Sequence, residues 1–589
     1  MREGGRGVTP AIGVPGKPEV RLDFTEEGPP KVFRDPVAEV VARRWEAVEA
    51  ALQEAERWRR QGYWVAGWLA YEAGPGLDPT LVTHEPTEFP LVWLGIFRAP
   101  SAAWEAVDGH YAVGAWTAGV SPEEYRQKVA AIREYIRQGQ TYQVNYTLRL
   151  SAAFSGDPRR WYLDLLRAQS GPYAAYVEAQ GFAVVSASPE LFFRLRGRSV
   201  VTRPMKGTAP RGFFDRDDWA RRAALAASVK DRAENVMIAD LLRNDLGKIA
   251  RFGTVEAGPV FAIERYPTVW QMTSTVRAEL DADKTWVDVF GALFPSGSIT
   301  GAPKARTMAI IREVEPDPRG VYCGALGYVA PDGDATFNVA IRTATVDRRR
   351  AQVQFGTGGG ITWDSEAGLE YQEAWTKAAF LATPGTDFQL LETFRWVDGQ
   401  LALKAYHLDR LRHAVEYFGW RWDADTVETA LQEGTRGLAG AWAVRLRYFP
   451  DGRAVVEPRP LAPLSRGVQP VAFAEMPMPR ADAWTYFKTT RRQRYEERHP
   501  EKSPFFDHLL YNAAGEVTEF TRGNLVVKLD GGWWTPALSS GLLPGTFRQW
   551  LLDQGAIRER VLTRDEVVRA DQCWFINSVR GWVPVRLVS

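Results

Sequence analysis

The sequence predicts an α+β protein of two unequal units, a large antiparallel sheet with helices and then a smaller unit that again mixes strands with a few helices. Two observations carry this reading. Short strand-like runs, Tyr142–Leu150, Tyr173–Glu178, Ala183–Ala187 and Leu191–Leu195, crowd one region, as in a large antiparallel sheet. At Ala382-Thr-Pro-Gly-Thr386 the pattern breaks and a new strand begins. The expected organisation is a flexible arm over 1–20, a first unit over 21–382, a linker over 383–386 and a second unit over 387–589.

Composition narrows the function. The chain has 589 residues, 45% hydrophobic and 25% charged, ordinary for a globular protein with sizeable cores. With 73 Lys+Arg against 72 Asp+Glu, net charge gives no pull toward nucleic acid or anionic membrane. No apolar run approaches the roughly 18 residues of a membrane span. The Gly/Pro-rich start, Met1–Pro18, lacks the apolar stretch of a signal peptide, so a cytoplasmic enzyme is expected. Two cysteines make neither a disulfide framework nor a tetrahedral zinc site, and the six histidines include no HExxH or HxH. Cys323 and Cys573 lie in apolar strand-like runs and are expected to be buried and inert; neither sits in a glutaminase-type nucleophile elbow.

In chain order, Asp35 as N-cap, Pro36 at N1 and Gly62 after the end predict a first helix, with Val37, Val41, Val48, Leu52 and Ala55 on its buried face. A strand over YWVAGWLAYEAG follows. Ser121-Pro122 with Glu124 reads as a capping box opening a helix that ends near Gly139. After the strands listed above, helices are expected over Asp215–Phe252, Pro303–Glu313 and Glu366–Leu381. Asp398-Gly399 marks a hairpin turn at the start of the second unit.

Carboxylates at i, i+3 spacing place Asp231 with Glu234, and Glu370 with Glu373, each pair on one helical face. Two such faces meeting would form an oxygen-only pocket suited to Mg²⁺; spacing alone also fits two solvated charged faces. FPSGSITGAPK (Phe294–Lys304) is either a seat for a small anion or a helix-capping turn. Lys206, among apolar and turn residues in TRPMKGTAPR, is either a deprotonated nucleophile or a surface lysine. The glycines of FGTGGGITWDSE do not match a dinucleotide-binding fingerprint.

Together SPELFF, PMKGT, DRAENVMIADLLRNDLG, FPSGSITGAPK and GTGGGI…EYQEAWTKA occur in the order seen in chorismate-utilising enzymes. The first unit resembles component I of the anthranilate and aminodeoxychorismate synthases. The resemblance implies a large antiparallel-sheet chorismate-binding fold. It implies that Lys206 attacks C2 of chorismate while Glu190 protonates the departing C4 oxygen, after which ammonia enters C4 and expels the lysine. It implies that Glu234 and Glu373 hold Mg²⁺ with Asp231 and Glu370 in support, and that Tyr322, Arg342 and Lys377 bind substrate carboxylates. Thr208, Thr300, Gly301 and Gly358 fall in the motifs that line the substrate. Gln143 stands where relatives that add water at C2 carry a base lysine, and a glutamine cannot take that proton. Anthranilate synthases have alanine where this chain has Lys206. Gln271 replaces a histidine common in the family and serves at most as a neutral hydrogen-bond donor.

In the second unit Arg410 in HLDRL, Lys488 in YFKTTRRQRY, Glu519 in GEVTEFTRGNLVV and Gly545-Thr546 in SSGLLPGTFR each have a plain surface or turn reading. Their combination resembles the fold-type IV enzymes of pyridoxal 5′-phosphate (PLP), which include aminotransferases and aminodeoxychorismate lyase. A two-subdomain fold follows, with Lys488 carrying the cofactor and moving protons, and Glu519 keeping its ring nitrogen protonated. Arg410, Gly545, Thr546 and Ser578 would hold the phosphate, and Arg580 a substrate carboxylate.

The fusion favours a bifunctional enzyme that takes chorismate through 4-amino-4-deoxychorismate to 4-aminobenzoate, for folate synthesis. The alternatives are an anthranilate or aminodeoxychorismate synthase fused to an aminotransferase or to a non-catalytic PLP-binding module. Without a glutaminase elbow, ammonia is expected from a separate glutamine amidotransferase. Fold-type IV sites are often completed by a neighbouring subunit, so a homodimer through the second unit stays open.

Overall fold

The computed structural model describes residues 17–101, 104, 107, 109–168, 171–266, 269–378, 381, 388–480, 483–500 and 502–588. Most of the expected arm and the whole of the expected linker lie outside them. The chain divides into two compact units, one of Met1–Pro210 with Arg221–Gly385, the other of Arg211–Ala220 with Thr386–Ser589.

The first unit stacks two antiparallel sheets between helices. One sheet is built around the strand Gln143–Gly156, which pairs with Gln352–Ile361 from Ala153↔Gln352 to Val144↔Ile361. The other runs through Trp64–Leu69, Leu191–Arg196, Ala325–Val329 and Ala335–Val339. Val20, Leu22, Trp68, Tyr173, Val177, Val184 and Leu326 form the core between the sheets. Both outer faces carry helices: Val48–Arg60, Val229–Gly247 and Trp286–Leu293 on one, Pro122–Arg137, Lys304–Val314 and Ala367–Ala378 on the other. Covered on both faces, strands such as Tyr173–Ala179 are buried at every residue. Their sequences therefore read as continuous apolar runs.

Pro122–Arg137 has the expected capping box at Ser121 and Glu124. The first expected helix is corrected. Ala38–Ala42 is a strand paired with Val92–Phe97, and the helix starts only at Val48. Two adjacent β-branched residues, Val40 and Val41, fit the pleated sheet better than a helical turn, so tertiary pairing overrides the Asp35-Pro36 start signal. The expected helix over 215–252 is two, Asp215–Ala227 and Val229–Gly247. They part at Ser228, whose hydroxyl accepts from the Asp231 N–H at 3.2 Å and caps the second.

In the second unit Leu390–Val397, Trp442–Tyr448 and Ala454–Pro460, with the short Gln400–Leu401, form a four-stranded antiparallel sheet. Helices Lys404–Tyr417 and Ala424–Thr435 pack on it. Asp398 and Gly399 both have positive φ, 50° and 81°, as the hairpin turn requires. Phe213 and Phe214 join this unit's cluster by packing on Tyr486. A second, eight-stranded sheet contains Asn524–Leu529 and Gln572–Asn577. Burial pushes the Cys323 and Cys573 thiols up to about 11, far from a thiolate at neutral pH. Among the described residues, no helix is long and apolar enough to cross a membrane.

Candidate active sites

In the first unit Lys206 lies on the strand Met205–Pro210, paired with Val269–Thr273. Glu190, 2% exposed, immediately precedes the strand Leu191–Arg196. The Ser298 hydroxyl, from the FPSGSITG loop, donates to Glu190 Oε1 at 2.5 Å. Burial pushes the Glu190 carboxyl up to about 7, against the opposing pull of Ser298 and the charge of Lys206. Burial lowers the Lys206 pKa, opposed by the charges of Glu234, Glu190 and Glu373 and aided by Lys377. A half-buried amine whose proton is held less tightly than usual thus lies within electrostatic reach of a carboxyl that keeps part of its own near neutral pH.

The carboxyl's shift has a stability cost. The unfolded chain ionises Glu190 near 4.5, the folded chain only near 7. Stability contributed by this group is full below the lower value and falls as pH rises through the window between them. Glu190→Gln is expected to unfold like the parent at pH 4 and to be more stable at pH 8, by about 3 kcal/mol at most. Thermal unfolding at the two pH values checks this, and equal melting shifts at both would count against it.

Helix Val229–Gly247 meets the lysine strand closely. Gly207 has φ +91°, and a Cβ there would lie 2.9 Å from the Asp231 Cβ. Asn235 donates to the Lys206 carbonyl at 3.3 Å. On helix Ala367–Ala378, Glu370 accepts from the Ser365 hydroxyl at 2.7 Å, while Lys377 pairs with Glu373 at 2.7 Å and donates to the Gly358 carbonyl at 2.9 Å. A Cβ on Gly359 would meet Glu370, Lys377 and Glu373 within 3.3–3.8 Å, so the glycine strand lies directly against the acids. Burial raises both the Glu234 and Glu370 carboxyls; Asp231 and Glu370 add to the shift of Glu234, and Glu373 to that of Glu370. Mutually repelling carboxylates from two helices suit a hard cation in donor chemistry. Among the described residues, however, no three potential ligands converge on one metal position.

Gln143 is 1% exposed, and among the described residues neither of its amide atoms has a hydrogen-bond partner. A Cβ on Gly360 would lie 1.8 Å from its Nε2, and one on Gly301 2.1 Å from its carbonyl oxygen. Gln271 is fully engaged: it accepts from the Thr208 hydroxyl at 2.9 Å and donates to the Gly207 carbonyl at 2.8 Å. It thus stitches the lysine hairpin together. Thr300 donates to the Ser296 carbonyl at 3.1 Å. Tyr322 is packed so tightly that a Cβ on Gly356 would sit 2.2 Å from its ring. Arg342 has φ 50°, and burial lowers its pKa.

A buried network behind this site carries no sequence signal. Arg319 donates to the Ile299 and Asn145 carbonyls at 2.8 and 2.7 Å and pairs with Glu315 at 2.6 Å. Glu72 accepts from the backbone N–H groups of Arg319 and Gly320 at 2.6 and 2.9 Å. The FPSGSITG loop and the strand bearing Gln143 are tied together through one guanidinium.

In the second unit Lys488 Nζ donates to the Thr393 hydroxyl at 3.4 Å, and burial with the charge of Arg410 lowers its pKa to about 7. Glu519 is 3% exposed and accepts from Tyr495 at 2.9 Å and from the Leu543 N–H at 3.1 Å; burial pushes its carboxyl up to about 8. Arg410 grips Glu392 at 2.9 and 2.7 Å and donates to the Pro544 carbonyl at 3.0 Å. The same Glu392 bonds His407 Nδ1 at 2.5 Å, and His407 Nε2 contacts the Thr546 hydroxyl at 3.2 Å. One buried carboxylate thus orients both Arg410 and, through the imidazole, Thr546. Gly545 admits no side chain, since its Cβ would lie 1.9 Å from Asn524 Oδ1. Ser578 donates to the Thr393 carbonyl at 3.4 Å, and Arg580 to the Ala462 carbonyl at 2.5 Å. Sequence reasoning missed Glu392, His407, Thr393 and Tyr495, which no motif spacing marks.

A family described as chorismate binding enzyme matches residues 101–383, and one described as amino-transferase class IV matches 389–588. Aminodeoxychorismate synthase component 1 of Klebsiella aerogenes is 41% identical over 300 residues, covering 51% of this chain and 65% of its own. Anthranilate synthase component 1 of Thermus thermophilus is 38% identical over 315 residues, covering 53% and 66%. The chain thus spans just under two thirds of the length of each. The crystal structure of anthranilate synthase component I from Streptococcus pneumoniae shares the fold at TM-score 0.53 and 22% identity, covering 65% of this chain and 96% of that one.

Proposed function

Because the chain is an enzyme that joins a chorismate binding enzyme domain to a class IV amino-transferase domain, we propose that it makes 4-aminobenzoate from chorismate and ammonia. The observation that supports this reading is Glu190, buried and bonded by the Ser298 hydroxyl of the FPSGSITG loop, within electrostatic reach of the half-buried Lys206, whose pKa burial lowers. Neutral Lys206 attacks C2, the two conjugated ring double bonds shift to C1=C6 and C4=C5, and the C4–oxygen bond breaks as Glu190 gives that oxygen its proton. Ammonia then bonds to C4 and gives up a proton, both double bonds shift back to C1=C2 and C5=C6, and the C2–nitrogen bond breaks as the departing lysine nitrogen takes up a proton. Glu234 and Glu373, supported by Asp231 and Glu370, would hold Mg²⁺, which neutralises a substrate carboxylate when bound. Tyr322, Arg342 and Lys377 orient the substrate.

In the second unit the residues fit PLP: a low-pKa lysine, a buried acid and an arginine–hydroxyl cup. When bound, the cofactor supplies an electron sink for the carbon that carries the amine. Lys488 removes the proton from C4 of the aminated product, and the enolpyruvyl group leaves as pyruvate while the ring becomes aromatic. Glu519 holds a proton at the cofactor's ring nitrogen. Arg410 and Thr546, set by Glu392 and His407, bind its phosphate with Gly545 and Ser578.

The whole chain with chorismate, ammonium, Mg²⁺ and PLP is expected to yield 4-aminobenzoate and pyruvate in equal amounts by mass spectrometry. Glutamine should not replace ammonium unless a separate amidotransferase is added. Anthranilate as product, or no aromatic amine, would sink the reading.

A further inference from the structure

The four-stranded sheet of the second unit presents arginines to the Lys488 site that neither phosphate binding nor protein contacts use. Thr393, the residue that touches Lys488, lies directly opposite Arg445 in the antiparallel register, so their side chains share one face. Arg395, two residues along, is on that face as well. Among the described residues neither Arg395 nor Arg445 makes a side-chain hydrogen bond or an ion pair, and the Arg395 Nε is buried without a partner. The nearby carboxylate, Glu457, is held by Arg447 at 2.6 Å. The other cations near Lys488 are committed: Arg410 to Glu392 and Pro544, Arg492 to the Thr521 carbonyl at 2.6 Å. Arg395 also feels the positive charge of Arg580, and Arg445 that of Arg459, Arg492 and Arg447, offset in part by Glu457 across the strand pair. Half-buried guanidinium groups outnumber the one carboxylate near them, Glu457, which already pairs with Arg447, and this excess of positive charge favours an anionic ligand that each could grip with two parallel N–H donors.

We propose that Arg445 and Arg395 are specificity-determining residues that bind a second substrate carboxylate, so that the second unit takes amines bearing two carboxylates and rejects ordinary monocarboxylate amino acids. This rests on the function proposed above, whose intermediate, 4-amino-4-deoxychorismate, is such a dianion. An amine with one carboxylate leaves a guanidinium uncompensated in the site, and the discrimination follows from that unpaired charge. The same argument separates a lyase for this intermediate from a general aminotransferase.

Isophthalate and benzoate, stable di- and monocarboxylates, test this when titrated into the PLP-loaded whole chain. Perturbation of the cofactor's visible absorption is the readout, which binding in the first unit does not move. Isophthalate is expected to bind about tenfold or more tightly than benzoate. Arg445→Gln and Arg395→Gln should each erase most of that preference while keeping the cofactor band, and Arg445→Lys should restore part of it. Equal affinity for the two probes, or glutamine variants that keep the parental preference, would overturn the proposal alone. A chain that takes up no PLP would overturn it together with the function on which it rests. The retained band separates loss of recognition from loss of fold.

Discussion

Lys206→Ala is expected to lower amination at C4 of chorismate by about a thousandfold or more, because on the proposed function it removes the group that forms the transient C2 bond. The side chain sits where burial favours its neutral form and within electrostatic reach of Glu190, the proposed proton donor. Asn235 and Gln271 bond the backbone carbonyls of Lys206 and Gly207, not the amine, so the hairpin should keep its shape without the side chain. The variant should still turn supplied 4-amino-4-deoxychorismate into 4-aminobenzoate, which separates loss of the first step from global unfolding. Product analysis by chromatography with ammonium as nitrogen source is the measurement. Full amination by the variant would rule out a covalent role.

Lys488→Ala is expected to stop the second step to a similar degree and to leave the first running, so that 4-amino-4-deoxychorismate accumulates. Lys488 is held well below the ordinary lysine range, at about 7, which suits the proposed role of accepting and returning a proton. Burial and the neighbouring Arg410 create that pKa; Glu392 opposes it. Borohydride reduction of the PLP-loaded parent followed by peptide mapping should label Lys488, and the variant should carry no label. Continued 4-aminobenzoate formation by the variant, or label on another lysine, would refute the assignment.

Local chemistry was legible wherever it depends on neighbours in the chain. The Ser121–Glu124 capping box and the Asp398-Gly399 turn need only a few adjacent residues, and both formed as expected. The start signal at Asp35-Pro36 failed because a strand partner, Val92–Phe97, outbid the local preference. Ser228 interrupted a helical pattern that periodicity alone would have continued.

Sequence by itself determined the resemblance to two families, the order of the motifs that carry it and the residue types available for chemistry: an amine at 206, acids at 190 and 519, a second lysine at 488. Only the tertiary structure decided which of these have altered proton affinity, since desolvation arises when distant segments close over a side chain. Glu190 is matched with Ser298 across 108 positions, and Thr546 with His407 across 139. The structure also decided that Gln271 is a stitch within the hairpin and that the Gln143 amide is buried with no hydrogen-bond partner among the described residues. It set Arg445 beside Thr393 through strand register. No spacing rule in a one-dimensional chain encodes such pairings, because they are fixed by how sheets and helices pack rather than by local propensity.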